Sequence, residues 1–409
     1  MKTIIFAPET INIAETTRMV EIAKQCKEFY HCLFVGYSDE YAKIILDNGF
    51  EYRPLNPQLT REKTEHLWKV DRMESYADPF TYQELDERVK SEVVIIKGTN
   101  AAAVVMGFTL SFTISARVAR VPLICVMPFP LTEPFLKNNL APVPDEIYRG
   151  IVKLIPEHWL KTLINKWFLL TTLWIKPFNK LSKQYNIKPI NKLVDIFQGD
   201  FNLITDIPEL TGVKELPENW QYVGYIYAHL DGQIPEILSK IPKDKPLIYC
   251  AMGSSANRKI LKQLIEALGE IEGYVICPMK KHLEQIKVNV PQNVYITDWL
   301  PAHLVNPMAK ISVIHGGQGT VQTAVESATP FIGVGLQPEQ IANIDMVVNQ
   351  GCARRIRKYE VSKLRLKSEI ENLLNDRKAF VKATELAQLA KNYNSKELIL
   401  GKIKRIVGC

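Results

Sequence analysis

Residues 315–330 read HGGQGTVQTAVESATP, and this stretch decides the fold class. A mostly apolar run, Ile311–Ile314, precedes it, and a second apolar run, 331–334, follows it. Runs this short predict buried strands, and VQTAVESA between them has the composition of a helix. A strand, a glycine loop, a helix and a second strand in this order indicate part of a parallel α/β sheet.

The glycine loop itself indicates an anion site. Glycine lets the backbone approach a ligand closely and adopt turns that other residues avoid. The helix that follows would present unpaired N–H groups and the positive end of its dipole, most often to a phosphate. His315, at the carboxyl end of the first strand, would face that phosphate. The loop is neither a Walker A motif nor a GxGxxG motif, and a plain turn with a capped histidine is the alternative.

Strand-like and helix-like runs alternate along the whole chain. The strand-like runs are KTIIFAP, HCLFVGY, SEVVIIKG, VPLICVMPF, NLITD, PLIYCAMG, EGYVICPM, NVYITDWL, KISVIHGG and PFIGVG. The uncharged stretch 98–116 predicts a buried helix rather than a membrane span, because Asn, Ser and Thr dilute it. The pattern predicts an α/β protein of two Rossmann-like doubly wound domains that face each other across a ligand-binding cleft.

The length of 409 residues also favours two domains. An aperiodic segment rich in Pro and Gly separates the two halves and predicts a linker. We expect an N-terminal domain over 1–210, a linker over 211–240 and a C-terminal domain over 241–380. A helical, basic tail would occupy 381–409, packed on either domain.

Composition is typical of a soluble globular protein, with 46% hydrophobic and 23% charged residues. The seven cysteines form no CxxC pair, which argues against a zinc ribbon and a disulfide framework and fits a reducing cytosol. The N-terminal MKTIIFAPE enters a strand directly, without the features of a signal peptide. We therefore expect a cytoplasmic protein.

The positive charge is concentrated in one aromatic-rich segment, 150–192. This segment holds eight Lys and one Glu, 8 − 1 = +7, which equals the formal net charge of the chain. Lysines on the solvent face of a helical pair are one explanation. The other is a patch for an anionic membrane surface, peripheral at the inner membrane face, or for an acidic acceptor. No nucleic-acid-binding motif accompanies the charge, so we expect no nucleic-acid partner.

Three other segments place polar or aromatic residues at predicted strand ends. A glycine turn, 253–255, follows LIYCAM. Trp299 lies at a strand end in TDWLPAHL, where it would stack on a nucleobase or belong to the core. Glu339 and Gln340 lie at the mouth of a further strand, where their side chains can form hydrogen bonds with sugar hydroxyls.

In the order MGSS, DWLP, HGGQGT and PEQIAN, these motifs resemble the C-terminal half of the UDP-glycosyltransferase-like enzymes of the GT-B fold. The resemblance is greatest to the bacterial branch that includes the macrolide glycosyltransferases, and it covers residues 205–360 well. It implies an inverting hexosyltransferase. Such an enzyme moves a sugar from a UDP- or dTDP-sugar, held by the C-terminal domain, to a small apolar or lipid-like acceptor, held by the N-terminal domain.

The resemblance also implies which residues bind the donor. Trp299, with Leu300 beside it, would stack on the base, and Glu339 and Gln340 would bind the sugar. The residues at the pyrophosphate would be Gly253, Ser254, Ser255, His315, Gly317, Gln318, Gly319 and Thr320. The chain has no DxD motif, so no metal and no cofactor is expected. The histidine and the helix dipole would stabilise the departing diphosphate instead.

The chain departs from the family pattern at the ribose position. The family usually carries a glutamate eight residues after the phosphate histidine, and that position is Thr323 here. Glu326, three residues later on the same helical face, is a candidate substitute. Either Thr323 or Glu326 would then contact the ribose, and the donor would be a UDP- or a dTDP-sugar.

The second departure concerns the catalytic base. Inverting relatives use a histidine in the first βα loop, and no histidine precedes His31 here. The family pattern of a histidine followed by an arginine three residues later falls on Glu15 and Arg18. A buried carboxylate can serve as a base when its pKa is raised, and Glu9 is a weaker candidate. Alternatively, Glu15 is a helix N-terminal residue favoured by the dipole.

Two other functions remain open at this level. A sugar-nucleotide epimerase on the same fold would need acidic catalytic residues but no acceptor pocket. A catalytically inactive auxiliary partner of a glycosyltransferase would explain the missing histidine and the missing ribose glutamate. The retained HGGQGT and PEQ motifs favour the enzyme, because a subunit that bound no donor would have little chemical need for them.

Overall fold

The computed structural model describes residues 1–228, 232–253, 258–283 and 288–408, which form two parallel sheets. The first sheet consists of β1 (Thr3–Ala7), β2 (His31–Gly36), β3 (Glu51–Pro54), β4 (Ala101–Met106), β5 (Leu123–Met127), β6 (Phe201–Ile204) and β7 (Trp220–Tyr222). The second consists of β8 (Leu247–Ala251), β9 (Tyr274–Cys277), β10 (Val294–Ile296), β11 (Ile311–Ile314), β12 (Phe331–Gly333) and β13 (Ala353–Arg355). Two doubly wound sheets confirm the predicted fold class.

The strand orders place the ligand-binding edge of each sheet. They are β3-β2-β1-β4-β5-β6-β7 and β10-β9-β8-β11-β12-β13. The order reverses between β1 and β4 in the first sheet and between β8 and β11 in the second. Ligands of open α/β sheets bind outside the carboxyl ends of the strands at such points. His315 directly follows β11, and Glu15 lies on the helix that follows β1.

Helices cover both faces of the sheets. In the first half they are α1 (Ile13–Cys26), α2 (Ala42–Asp47), α3 (Arg61–Asp71), α4 (Tyr82–Gly98), α5 (Phe112–Ala119), α6 (Glu133–Lys137), α7 (Glu157–Leu170), α8 (Ile175–Gln184) and α9 (Pro208–Thr211). In the second half they are α10 (Ile237–Lys240), α11 (Arg258–Leu268), α12 (Lys280–Leu283), α13 (Ala302–Val305), α14 (Gln318–Glu326), α15 (Pro338–Asn349), α16 (Lys363–Leu374), α17 (Arg377–Lys391) and α18 (Ser395–Val407). Short 3₁₀ helices lie at Phe129–Leu131, Gly150–Leu154, Leu193–Phe197 and Asn306–Met308.

Two local predictions between α4 and α5 are wrong. The run 91–98, expected to be a strand, is the end of α4, and 98–116, expected to be one helix, contains β4 and the start of α5. A capping box of Thr81 and Glu84 starts α4, and the helix then runs on through the apolar residues. A short apolar run alone does not distinguish a buried strand from a helix, and the run of small residues in β4 reads equally well as helix.

The ends of the two domains are interleaved. The strand β7 lies in the segment expected to be aperiodic, and it pairs with β6 in the first sheet. The last helix of the tail, α18, returns to the first domain, where Ile399 and Ile403 are buried in the same cluster as Phe6 and Met19. In the described part of the chain, no helix is long and apolar enough to cross a membrane.

Candidate functional site

The His315 ring is enclosed by two glycines at the carboxyl end of β11. A Cβ atom on Gly253 would lie 2.6 Å from the ring Cε1, and one on Gly317 would lie 2.6 Å from Nε2. Gly253 also has a φ of +63°, in the left-handed region that favours glycine. The two glycine loops, from β8 and β11, are therefore required to hold this ring where it lies.

A backbone carbonyl sets the protonation of His315. Nδ1 lies 3.3 Å from the carbonyl oxygen of Ala251, and because a carbonyl can only accept, Nδ1 carries the hydrogen. Burial lowers the pKa of His315 to about 4, although this hydrogen bond acts in the opposite direction. The ring is therefore neutral at physiological pH, with the lone pair of Nε2 beside Gly317.

The first turn of α14 lies directly against the N-terminal domain. Gly317 is the N-cap, and Gln318 is the first residue of the helix. The Gln318 Nε2 donates to the carbonyl oxygen of Thr205 at 3.1 Å and to Asp206 Oδ2 at 3.2 Å. Gln322 Nε2 donates to the same carbonyl at 2.6 Å. The side chain of Gln318 is thus bound to the opposite domain, which leaves its backbone N–H for a ligand.

Arg18, on the buried face of α1, meets this turn from the other side. Its side chain is buried, and its Nη2 donates to Gln318 Oε1 at 2.6 Å. Its Nε and Nη1 have no hydrogen-bond partner among the described residues. Burial lowers the pKa of Arg18, and the nearby carboxyl groups of Glu15, Glu339 and Asp206 act in the opposite direction. A buried cation with unfilled donors therefore lies at the N-terminus of α14.

Glu15 is fixed at the start of α1. Its Oε1 accepts hydrogen bonds from the backbone N–H of Glu9 at 2.9 Å and of Phe108 at 2.8 Å, and its Oε2 has no partner among the described residues. The carboxyl fills the space at Gly107, where a Cβ would clash with Oε1. Burial raises the pKa of Glu15 to about 7, while the two N–H groups and Arg18 act in the opposite direction. The group is half ionised near neutral pH.

Further buried charges continue from Glu15 into the N-terminal domain. Glu9 and Arg88 form an ion pair, with 3.8 Å between Oε2 and Nη1. The Arg88 guanidinium carbon lies 3.7 Å from the ring centre of Tyr37 and 4.3 Å from that of Phe80. Glu9 Oε1 and both Nη atoms of Arg88 find no hydrogen-bond partner within the ranges that the structure describes. The N-terminal face of the cleft therefore contains a series of buried charged side chains, several of which have atoms without a hydrogen-bond partner among the described residues.

The predicted base-stacking and turn residues have different surroundings. The Trp299 side chain is 48% exposed and packs beside Gly232, whereas Leu300 is buried in the core. Trp299 therefore has an open ring for a ligand, and Leu300 can contribute only its backbone. Ser254 and Ser255 lie outside the described residues.

The PEQ segment is built into the cleft wall. Glu339 Oε1 accepts from Asn343 Nδ2 at 3.3 Å, and Asn343 also donates to the carbonyl oxygen of Gly316 at 3.0 Å. Asn343 thereby connects this segment to the glycine loop. Loss of solvent and the nearby Asp71 raise the pKa of Glu339 to about 7. Gln340 is buried, and its Oε1 accepts from the backbone N–H of Leu336.

The two candidate ribose residues have local partners. Thr323 Oγ1 donates to the carbonyl oxygen of Gly319 at 2.7 Å, one turn earlier in α14. Glu326 Oε2 accepts from the hydroxyl of Tyr227, which comes from the interdomain segment. Tyr227 also lies near Gly319, whose Cβ would be 3.9 Å from that of the tyrosine. Glu326 and Tyr227 therefore form a polar pair beside the glycine loop.

The basic aromatic segment contains an exposed apolar helix face. Trp159, Leu163, Trp167 and Leu170 of α7 are exposed and share one face, and Asn165 is the buried residue of this helix. The same segment contains exposed lysines, Lys166 on α7 and Lys176, Lys180 and Lys183 on α8. At the start of α7, Glu157 pairs with Arg357 of the second domain at 2.6 Å. The exposed face therefore begins where the two domains meet.

Sequence reasoning missed most of the N-terminal face. It noted Arg18 only as part of a pattern, and it did not identify Asp206 or Gly107. Helical spacing contained a signal, because Glu15 and Arg18 lie three residues apart on the face that includes the buried Ile22. Two charges on a buried face indicate a function or a buried network. In the described part of the chain, no group of three His, Cys, Asp or Glu side chains is arranged to hold a metal ion.

Comparisons with known proteins agree with this architecture. The family model of the erythromycin biosynthesis protein CIII-like C-terminal domain matches residues 262–399. A PGL/p-HBAD biosynthesis glycosyltransferase of Mycobacterium tuberculosis (strain ATCC 25177 / H37Ra) is 24% identical over 394 residues, covering 94% of this chain and 88% of the relative. An inactive PGL/p-HBAD biosynthesis glycosyltransferase of Mycobacterium bovis (strain BCG / Pasteur 1173P2) is 26% identical over 273 residues, covering 65% and 70%.

Solved structures share the fold over the full length. The glycosyltransferase VinC in complex with DTDP superposes with a TM-score of 0.70 at 15% identity, covering 99% of both chains. At this identity the likeness describes the fold.

Proposed function

We propose that the chain is an inverting, metal-independent glycosyltransferase of the GT-B fold, similar in its C-terminal part to the erythromycin biosynthesis protein CIII-like family. Its donor is a UDP- or dTDP-sugar, and its acceptor is a small apolar or lipid-like molecule. The observation that carries the proposal is the enclosed His315 ring beside the N-terminus of α14, whose first residue, Gln318, accepts a hydrogen bond from Arg18 on the helix that also contains the buried Glu15.

The division of the chain follows from this function. The N-terminal domain, 1–210, holds the acceptor, and the C-terminal domain, 241–380, holds the nucleotide sugar. The segment 211–240 connects them, and the tail 381–409 ties the second domain back to the first through α18.

The donor diphosphate binds at the start of α14. His315, Gly317 and the backbone N–H groups of Gln318, Gly319 and Thr320 contact its oxygens, with Gly253 on the facing loop. A helix N-terminus favours an anion through its unpaired N–H groups and its dipole. His315 binds as a hydrogen-bond donor at Nε2, so the arriving diphosphate raises its pKa and draws a proton.

The nucleoside and the sugar lie on either side of the diphosphate. The half-exposed ring of Trp299 stacks on the base, next to the backbone of Leu300. Glu339 and Gln340 face the sugar hydroxyls. On the ribose side, Glu326 and Tyr227 provide a carboxylate and a hydroxyl, and Thr323 lies on the same helix.

Glu15 is the general base. With a pKa of about 7, its carboxylate can take the proton of an acceptor hydroxyl through Oε2, which has no partner within the described ranges. The acceptor oxygen then forms a bond to the anomeric carbon from the face opposite the diphosphate. The carbon–oxygen bond to the β-phosphate breaks, and its electron pair stays on the nucleoside diphosphate. Attack from the opposite face inverts the configuration at this carbon.

The acceptor reaches the cleft from a lipid surface. The exposed face of Trp159, Leu163, Trp167 and Leu170 fits the acyl boundary of a bilayer, and the lysines of the same segment fit anionic headgroups. Because α7 begins at the domain junction, docking would place the cleft near the membrane. The protein would act in the cytoplasm of a bacterium, bound peripherally to the inner face of the membrane.

Cosedimentation tests this docking. Wild-type protein is expected to sediment with vesicles that contain phosphatidylglycerol, and less with phosphatidylcholine alone. Trp159→Ser with Leu163→Ser should abolish binding, while Leu364→Ser, at an exposed leucine on α16, should leave it unchanged. Equal sedimentation of all three proteins would refute a role for this face. Self-association of the wild type without lipid, lost in the double variant, would instead make the face a protein interface.

The transfer reaction is tested with a panel of UDP-, dTDP- and GDP-sugars. Thermal shift identifies the donor, and mass spectrometry follows the release of free nucleotide. A selective shift with slow release would support a donor site, and the shift should persist in Glu15→Gln while release is lost. No shift with any nucleotide sugar would refute the enzyme.

An inactive auxiliary subunit of a glycosyltransferase is the second candidate. It is favoured by Thr323 at the ribose position and by the likeness to a mycobacterial protein named as inactive. The two candidates differ in one measurement. Donor binding without nucleotide release, in the presence of any acceptor, would identify the auxiliary subunit.

A further inference from the structure

Arg18 occupies a place that neither the donor loop nor the base explains. It belongs to the N-terminal domain, yet its Nη2 lies 2.6 Å from the side-chain oxygen of Gln318, the first residue of α14. Its side chain is only 6% exposed. The guanidinium is therefore held across the domain boundary, at the end of the helix where the diphosphate is expected.

Two of the three guanidinium nitrogens are unused. Nε and Nη1 are buried and have no hydrogen-bond partner among the described residues. Burying a charged donor without a partner is costly, because the lost hydration is not replaced. Gln318 Oε1 satisfies one N–H and fixes the direction of the group. The remaining donors are positioned for a ligand that brings its own acceptors.

The carboxyl groups around Arg18 do not satisfy these donors. Glu15 gives Oε1 to two backbone N–H groups, and Asp206 Oδ2 accepts from Phe129 N at 3.0 Å and from Gln318. Glu339 Oε1 accepts a hydrogen bond from Asn343 Nδ2. All three carboxyl groups are close enough to interact with Arg18 through charge, and each also has another hydrogen-bond partner.

A phosphate group fits this arrangement. Guanidinium donors match phosphate oxygens in a bidentate geometry, and the helix N-terminus beside them favours the same charge. We propose that Arg18 is the ligand of the N-terminal domain for the diphosphate of the nucleotide sugar, and that it completes the donor site across the cleft. The proposal rests on the proposed function, because it requires a nucleotide donor at α14.

This position gives Arg18 a role in the transfer itself. As the bond between the anomeric carbon and the β-phosphate oxygen breaks, the electron pair and the negative charge move onto the diphosphate. A fixed cation beside that oxygen stabilises the charge as it develops. The acceptor proton goes to Glu15, three residues earlier on the same helix. One turn of α1 therefore supplies both the base and the cation at the leaving group.

The competing explanation is that Arg18 only ties the two domains together through Gln318. Both explanations predict a hydrogen bond to Gln318, and they differ in what removal of the charge does. A structural tie stabilises the free protein. A phosphate ligand is costly in the free protein and is satisfied only by the nucleotide, so its removal should leave stability unchanged or raise it.

Calorimetric titration with UDP, dTDP, UMP and dTMP tests the proposal. The proteins are wild type, Arg18→Met, Arg18→Lys and Lys27→Met; Lys27 is an exposed residue at the end of the same helix. Arg18→Met should weaken the preferred diphosphate by about 10- to 100-fold and the monophosphate less, because it loses hydrogen bonds to a charged group. Arg18→Lys should recover part of that affinity, and Lys27→Met should bind as wild type.

The outcomes separate this inference from the proposed function. Diphosphate affinity in Arg18→Met equal to wild type, or a lowered melting temperature with unchanged affinity, would overturn the role of Arg18 and leave the donor site standing. If Arg18→Met does not fold, Arg18→Lys becomes the test. The role of Arg18 would then be overturned if Arg18→Lys preferred the diphosphate over the monophosphate as strongly as wild type does. If wild type binds no nucleotide, the proposed function itself fails.

Discussion

The two faces of the cleft consist of different chemical groups. The C-terminal face consists of glycine loops, backbone N–H groups and one neutral histidine that is enclosed by Gly253 and Gly317. The N-terminal face consists of buried charges, among them Glu15, Arg18 and Arg88. In the proposed function, the first face holds an anion by its shape and by the helix dipole. The second holds charged groups whose hydrogen-bonding capacity is only partly used.

This difference indicates which face would bind the donor and which face would supply the catalytic base. A backbone site binds a diphosphate without a change in its own protonation, apart from His315. A buried carboxyl with a pKa near neutrality can exchange a proton, which is the requirement for a base. Donor binding should therefore depend on the glycines together with Arg18, and proton transfer should depend on Glu15.

The largest expected effect is on Glu15. Glu15→Gln keeps an acceptor for the N–H groups of Glu9 and Phe108 but cannot take a proton. Nucleotide release is expected to fall by about 10²- to 10⁴-fold, the usual contribution of a general base, with donor affinity unchanged. In wild type the rate should rise with pH up to about 7 and then level, because the base acts when it is deprotonated. A flat profile in wild type would remove Glu15 as the base.

Gly253→Ala should break the C-terminal face. The added Cβ would lie 2.6 Å from the His315 ring, on a residue with a φ of +63°. We expect donor affinity to fall by about 100-fold, from roughly 2–3 kcal/mol of overpacking and backbone strain. Calorimetry with dTDP or UDP measures it.

Gly401→Ala is the matched control. In α18 the added Cβ meets no atom within 4 Å, so affinity should be unchanged. The protein should be more stable by about 0.5–1 kcal/mol, because alanine is the better helix former. Wild-type affinity in Gly253→Ala would mean that the glycine does not shape the donor site.

Gly107→Ala tests whether the N-terminal face also depends on one glycine. Its Cβ would displace the Glu15 carboxyl from the two N–H groups that hold it. We expect a loss of about 1–3 kcal/mol in the free energy of unfolding and at least a tenfold loss of turnover, with donor affinity retained. Urea unfolding and release assays measure the two quantities. Loss of donor affinity along with turnover would contradict the claim that Gly107 acts only through Glu15.

Stability should fall as pH rises from 6 to 8. Burial raises the pKa of Glu15, Glu92 and Glu339 to about 7, whereas the same groups are already ionised in the unfolded chain. The folded protein therefore binds more protons than the unfolded chain in this range, and the free energy of unfolding decreases with pH. His315, with a pKa of about 4, acts in the opposite direction, mainly below pH 6.5.

Urea unfolding at pH 6 and pH 8 measures this difference. Glu92→Gln should reduce it, because the substitution removes one of the buried carboxyl groups whose pKa lies near 7. Equal stability at the two pH values would show that these carboxyl groups titrate normally.

The smallest expected effect is at the ribose pair. Tyr227→Phe removes the hydroxyl that bonds to Glu326 and keeps the ring. We expect a loss of about two- to tenfold in donor affinity, equivalent to one hydrogen bond. Glu326→Gln should have a similar effect, and the double variant should be no worse than either single variant if both act through one contact. If the losses of donor affinity in the two single variants add up in the double variant, Tyr227 and Glu326 act independently.

The sequence carries more information about the C-terminal face than about the N-terminal face, and the reason is physical. Glycines next to a histidine, between a strand and a helix, require a particular backbone, and that requirement is visible in a few adjacent letters. The partners of Arg18 are not adjacent. Gln318 lies 300 residues away, and their contact exists only because two domains pack together.

Local ambiguity explains the errors in the fold. The run 91–98 has the composition of a strand, and it is helical because the capping box at Thr81 and Glu84 begins α4 upstream. The strand β7 consists of only three residues in a segment rich in Pro and Gly, and its pairing with β6 is a tertiary effect. Burial of Glu15 was readable from helical spacing, whereas its hydrogen bond to Phe108 was not.

The most direct test measures donor binding and nucleotide release on the same samples of wild type, Glu15→Gln and Gly253→Ala. We predict that Glu15→Gln binds the donor as wild type does and releases almost no nucleotide, while Gly253→Ala loses binding. Release at the wild-type rate from Glu15→Gln, or unaltered binding by Gly253→Ala, would contradict the assignment of catalysis to Glu15 and of donor binding to the glycine loops.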